Sequence, residues 1–262
     1  MNEPADRPPV PLPVDSPVVD PFPLQVLLED GPLLAVSKPA GLLTQGVPAG
    51  LPTLEAQVRA FLKEKYHKPG NVYLGIPHRI DRPVSGVVVF ARNSKAAARL
   101  AEQFRNRQVR KIYWGIVEHP PEPAEGTLVD WLLKVPDQAQ VEVVPPETPG
   151  AREARLTYRT LGSGPAGCLV EITLETGRMH QIRVQFASRG WPIVGDRQYG
   201  AAMTFGSHLP GNPSSDATDA VAAVDGYRQQ PIALHARHLT LLHPVRYDEV
   251  TITAPLPEGW PG

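Results

Sequence analysis

The chain has 262 residues, with 26 basic and 27 acidic side chains and a net charge of −1, a balance that excludes a uniformly basic nucleic-acid coat but leaves local patches open. Its composition, 42% hydrophobic and 20% charged, suits a globular protein with a sizeable core. No apolar run reaches the roughly 18 residues a membrane-spanning helix needs, and the N-terminus lacks a basic segment followed by an apolar one, so a cytoplasmic protein without a membrane partner is expected. One cysteine, Cys168, can close no intrachain disulfide and anchor no thiolate metal cluster.

Residues 1–23 hold eight of the 31 prolines and four acidic residues against the single base Arg7, which predicts an extended or flexible tail. Residues 24–262 then form the folded unit, as one domain. Two short apolar runs, Leu24 to Leu28 and Leu33 to Ser37, flank the turn signal Glu29-Asp30-Gly31-Pro32 and read as paired strands. Leu54, Val58, Phe61 and Leu62 recur at helical spacing behind the N-cap candidate Thr53, predicting a helix over 54–66. A second helix is expected over 94–107, with Ala97, Leu100, Ala101 and Phe104 facing inward. Gly86 to Ala91 and Ile112 to Glu118 read as strands, followed by others at 154–161, 167–175, 232–242 and 248–254. Residues 201–231, rich in Gly, Ser, Pro, Asp and Ala, are expected to be a long surface loop. The fold class is α+β: a mixed, largely antiparallel central sheet with flanking helices.

Several familiar sites are missing from this sequence: there is no GxxxxGK[ST] phosphate loop, no GxGxxG, no HExxH and no GxSxG elbow. His235 and His238 stand three apart on a strand, where alternation sends them to opposite faces, so no metal site is expected. From Arg79 to Lys111 there are nine basic residues and two acidic ones, the best candidate for a phosphate-binding stripe. Arg92, Arg99, Arg105, Arg107 and Arg110 are its candidate phosphate contacts. Within this stretch His78-Arg79-Ile80-Asp81-Arg82-Pro83-Val84-Ser85-Gly86 leads into a buried strand. Two flanking arginines favour the charged form of Asp81, suiting it to act as a nucleophile or base. By itself such an aspartate is more often one half of a surface ion pair.

A second polar, glycine-punctuated segment is Leu174-Glu175-Thr176-Gly177-Arg178-Met179-His180-Gln181-Ile182-Arg183, followed by Pro192-Ile193-Val194-Gly195-Asp196 and Tyr199-Gly200. With HRIDRPVSG, Arg110-Lys111-Ile112-Tyr113, Ser37-Lys38-Pro39-Ala40-Gly41-Leu42 and Leu234-His235-Ala236, these motifs resemble, in order over about residues 25–255, the RluA-type family of RNA pseudouridine synthases. The resemblance implies that Asp81 is the catalytic aspartate, Tyr113 the tyrosine that stacks on the target base and aids proton transfer, and Arg183 the basic residue that pairs with the aspartate. Arg79 matches the arginine that enters the RNA stack as the target nucleotide leaves it. Arg82, Arg110, Lys111, Arg178, His180 and Gln181 complete the expected substrate-facing set, the last two in a shaping role. Met179 stands where threonine or serine is usual and Gln185 where histidine is common, departures that bear on substrate detail.

The implied reaction detaches uracil from ribose, turns the ring and rejoins it through carbon 5, using no cofactor. The implied partner is structured RNA, an rRNA or tRNA stem-loop, bound by a monomer. The target nucleotide must leave its stack, at a cost of roughly a few kcal/mol. Two other readings stay open at this point: a non-catalytic RNA-binding protein of the same shape, and a carboxylate glycosidase, for which Glu175 and Asp196 are the only tempting partners of Asp81.

Overall fold

The computed structural model describes residues 23–46, 52–206 and 230–260. The first turn signal closes a hairpin in which β1 (Gln25–Asp30) pairs antiparallel with β2 (Leu33–Lys38), with Gly31 at φ +51 in its turn. Helix α1 (Leu54–Lys65) starts where Thr53 accepts a hydrogen bond from the Ala56 amide, and it buries Leu54, Val58 and Leu62. Then follow β3 (Ser85–Ala91), α2 (Ser94–Arg105), β4 (Arg110–Val117), β5 (Glu125–Lys134), β6 (Val141–Val144), β7 (Arg152–Gly164), β8 (Gly167–Leu174), α3 (Gln181–Ala187), β9 (Leu234–Leu242) and β10 (Glu249–Thr253).

All ten strands join one sheet in the order β1-β2-β3-β9-β4-β8-β7-β5-β6, with β10 added to β9. Every pairing is antiparallel except β3 with β9, so the architecture is the expected α+β. The continuous apolar runs of β2 and β3 follow from burial on both faces: Leu34, Val36, Val88 and Phe90 share a core with α1, and Leu33, Ala35, Val87 and Val89 share one with α2. Ile182 and Phe186 of α3 join the first core. Further along the sheet only one face is buried, and β8 alternates accordingly, with Cys168, Val170, Ile172 and Leu174 inside.

The topology positions the site at the β3-β9-β4 junction. Ala236 of β9 is the partner of Gly86 on one side and of Tyr113 on the other. The approach is so close that a Cβ on Gly86, which sits at φ +121, would lie 2.3 Å from the Ala236 carbonyl oxygen. Only glycine fits there. The loop ending in Asp81 is thereby brought beside Tyr113, next to a register shift in β4 between Ile112 and Tyr113.

Some expectations need correction. The inward stripe of α2 is Ala96, Leu100 and Gln103, with Ala97 and Phe104 only partly buried and Ala101 on the flank. Gln103 earns its burial by hydrogen bonding both the amide and the carbonyl of Leu242. Strands β5 and β6 and helix α3 were not anticipated: the first two are half-exposed and weakly patterned, and the third is only seven residues long. Of the expected loop at 201–231, residues 207–229 lie outside the described residues, as do residues 1–22 of the expected tail; 201–206, 230 and 231 carry no helix or strand.

Candidate active site

A cleft of about 500 Å³ opens at the β3-β9-β4 junction, lined by the Asp81 loop, the end of α2, β4 and the turn that leads into α3. Its Asp81 side chain is 28% exposed, accessible yet surrounded. The loop carrying it is clamped through its backbone. Thr44 donates to the Ile80 carbonyl at 2.9 Å, and the Gly41 amide donates to the Arg82 carbonyl at 2.8 Å. The wholly buried Lys38 places its ammonium on the carbonyls of Pro39, Leu42 and Arg82 at 2.9, 2.7 and 3.1 Å. Burial pulls Lys38 down to about 7, against the attraction of Asp81, while three carbonyls accept all three ammonium hydrogens. On the other side, His78 Nε2 accepts the Val89 amide at 3.0 Å and its ring stacks on Phe104 at 4.5 Å. Burial, helped by Lys111, lowers His78 to about 3, so it stays the neutral acceptor that this bond needs.

The opposite wall is built by the turn at 174–180 and by α3. His180 caps α3 in the left-handed region (φ +51), and Gln181 secures the turn. The Gln181 amide oxygen accepts from Thr176 Oγ1 and from the Arg178 amide, and its Nε2 donates to the Arg155 carbonyl. Buried Arg183 points its guanidinium back across the cleft: Nη1 lies 3.6 Å from Asp81 Oδ2, while Nε and Nη2 hold both oxygens of buried Asp196 at 2.6 and 2.8 Å. Burial alone would pull the Arg183 guanidinium down, but the Asp196 bonds and charge outweigh it and raise it. Arg183 is therefore a fixed cation whose geometry is set by Asp196 and whose free edge faces Asp81. His180 Nε2 is 3.9 Å from the same Asp81 oxygen.

Tyr113 lines the cleft, and burial, with Asp81 as a second cause, raises its phenol so that it remains a protonated donor. Lys111 lines it too, pulled down to about 8 by burial and by Arg107. Around the opening stand Arg79, Arg105, Arg107 and Arg178. Arg178 donates to the Glu153 carbonyl, and burial lowers its guanidinium; Arg79, Arg105 and Arg107 form no ion pair among the described residues.

The expected residues thus divide. Asp81, Tyr113, Arg183, Arg79, Lys111, Arg178, His180 and Gln181 come together in one cleft. Arg82 and Arg110 do not line it: Arg82 turns away and donates from Nε to the Gly41 carbonyl, and Arg110 lies exposed at the outer end of β4 opposite Thr240. Among the candidate phosphate contacts, Arg92 is engaged by Glu29, and Arg99 by the Pro244 carbonyl and the Tyr247 ring, which leaves Arg105 and Arg107 at the cleft. Of the two tempting second carboxylates, Asp196 is buried under Arg183, whereas Glu175 lines the cleft, half-exposed and 3.7 Å from Arg155. His235 and His238 have separate partners, Ser85 and Thr253. Sequence reasoning missed Thr44 and the anchoring roles of His78 and Lys38; the last two lie inside quoted motifs, whereas Thr44 carries no signal.

Comparison with known proteins agrees with this geometry. A family profile described as RNA pseudouridylate synthase matches residues 32–188. An uncharacterized RNA pseudouridine synthase of Synechocystis is 33% identical over 249 residues, covering 94% of this chain and 69% of that protein. The ribosomal large subunit pseudouridine synthase D of Xylella fastidiosa is 38% identical over 242 residues, covering 90% and 67%. The solved structure of human RNA pseudouridylate synthase domain containing 4 superposes with a TM-score of 0.68 at 26% identity, covering 90% of each chain. The chain belongs to the RNA pseudouridylate synthase family. It is an isomerase that modifies RNA, converting uridine to pseudouridine.

Proposed function

We propose that the reaction takes place at Asp81, on a uridine drawn out of structured ribosomal RNA into this cleft. The observation that carries the reading is the convergence on one cleft of an accessible carboxylate, a fixed guanidinium 3.6 Å from it, and a tyrosine held protonated. Asp81 acts at the sugar side of the glycosidic bond, as nucleophile, base or charge stabiliser. Arg183 keeps the carboxylate oriented, and Tyr113 offers the extruded base a flat face and a polar tip. Arg79, at the exposed rim, fills the space the nucleotide leaves. Arg105, Arg107, Lys111 and Arg178 attract the phosphates on either side.

Ribosomal RNA is preferred over tRNA because the Xylella relative, similar across most of this chain, is named for the large ribosomal subunit. Residues 24–262 act as a single catalytic domain, a reading supported by one sheet that runs from Gln25 to Thr253. A monomer suffices, since one chain supplies every group of the cleft. A cytoplasmic site of action suits the ribosomal substrate.

The test is tritium release from RNA labelled at carbon 5 of uracil, offered as large-subunit rRNA or as tRNA, to wild-type protein and Asp81→Asn at matched RNA occupancy. Release by wild type from rRNA alone supports the whole reading. Release from tRNA alone overturns the substrate, and equal release by Asp81→Asn overturns the assignment of the carboxylate.

A further inference from the structure

Asp81 has a second neighbour besides Arg183, and one tyrosine touches both. Tyr199 closes a single 3-10 turn, Arg197–Tyr199, directly after Asp196. Its ring lies under the Arg183 guanidinium, 4.9 Å from carbon to centroid, and meets the His180 imidazole edge-on at 89°. Its hydroxyl accepts the Val141 amide hydrogen of β6 at 3.1 Å and lies 2.8 Å from His180 Nδ1.

For a neutral His180 ring, counting hydrogens favours one direction for the second bond. A hydroxyl has one proton to give and the Val141 amide has already taken an acceptor position. Were His180 Nδ1 the donor, the phenolic hydrogen would need another acceptor and the lone pair of Nε2 would face Asp81, carboxylate against lone pair. With the hydroxyl donating to Nδ1, both conflicts vanish and the proton of the ring sits on Nε2, 3.9 Å from Asp81 Oδ2. Burial pushes the Tyr199 phenol up to about 12, so the donor keeps its proton through the neutral range. His180 itself is the N-cap of α3, at φ +51 in the left-handed region.

We propose that Tyr199, held by the β6 backbone, fixes the His180 tautomer so that Nε2–H faces Asp81, and that His180 and Tyr199 are positioning residues for the reaction. The inference rests on Asp81 being the catalytic carboxylate. It assigns a functional purpose to β6, which otherwise looks like a peripheral edge strand.

The experiment compares wild type, Tyr199→Phe, His180→Ala, the double variant and Asp81→Asn in single-turnover tritium release, with RNA affinity and melting temperature measured alongside. Tyr199→Phe keeps the ring under Arg183 and removes the hydroxyl, which is both the partner of His180 and the acceptor of the Val141 amide. It is expected to slow turnover about tenfold with RNA affinity unchanged, and to add nothing in the His180→Ala background, as expected of groups acting in series. Long-range proton–nitrogen spectra of the histidine rings, with His180 identified by its loss in His180→Ala, should show Nε2 protonated in wild type and a tautomer mixture in Tyr199→Phe. Wild-type turnover in Tyr199→Phe, independent effects in the double variant, or Nδ1 protonation in wild type overturns the proposal. So does a Tyr199→Phe loss that appears equally in affinity and melting temperature, which is the mark of a structural role. An active Asp81→Asn instead removes the reading beneath it, and the two failures are separate because only that one changes the Asp81 assignment.

Discussion

The floor of the cleft and its rim are built by opposite means. The Asp81 loop is tied down from beneath by Lys38, Thr44 and His78, with almost every bond going to main-chain atoms of buried or half-buried residues. At the rim Arg79, Arg105 and Arg107 stand exposed with no ion pair among the described residues. A reacting carboxylate must be held where charge develops, with little reorganisation left to do, whereas phosphates of a folded RNA are met by long side chains able to adapt. On the proposed function, rigidity is concentrated where bonds change, and freedom where the substrate varies.

The sharpest way to break this contrast is Asp81→Asn. It leaves the clamps in place and removes the acting group, so turnover should fall by about a thousandfold or more while RNA affinity stays within about twofold, read by tritium release and filter binding. Next comes the clamp itself. Lys38→Met strands three carbonyls and frees the loop; unfolding in denaturant should show a loss of about 2–4 kcal/mol, with turnover lowered as well.

Lys111 tests the intermediate zone. Below about 8 it is a cation facing the cleft and attracts phosphate, and above that value it loses its charge, so RNA affinity should decline as pH rises from 7 to 9. Lys111→Arg should flatten this profile, and a wild-type affinity constant over that range would remove Lys111 from the phosphate contacts. The smallest effect is expected at the rim. Arg107→Ala should weaken RNA binding several-fold and lower the slope of log affinity against log salt by about one, with the melting temperature unchanged. Binding by the wild type that ignores salt altogether would contradict the whole rim assignment.

Much of the floor was legible in the chain because its signals are local. HRIDRPVSG precedes an unmistakable buried strand, and the Thr53 cap and the alternation of Cys168, Val170, Ile172 and Leu174 both stand as read. The rim was legible only as a stripe of charge. Charge in sequence does not say which way a side chain turns, so Arg82, Arg92 and Arg99 were counted with Arg105 and Arg107 although their hydrogen bonds take them elsewhere. Likewise Arg183 was paired with Asp81, which lies 3.6 Å away, while its two-bond partner Asp196, at 2.6 and 2.8 Å, was not anticipated.

From its sequence alone, then, this protein had its α+β class, its first hairpin, its two long helices and Asp81 as the candidate for its reacting carboxylate set out, since periodicity, caps and ordered motifs act over a few residues at a time. The tertiary structure alone decided that Ala236 would lie between Gly86 and Tyr113, that Asp196 would aim Arg183, and that Tyr199 of a distant turn would reach His180. Those pairings join residues 13 to about 150 positions apart, and they exist only because sheet registry and close packing leave the chain one way to bury its polar groups with partners.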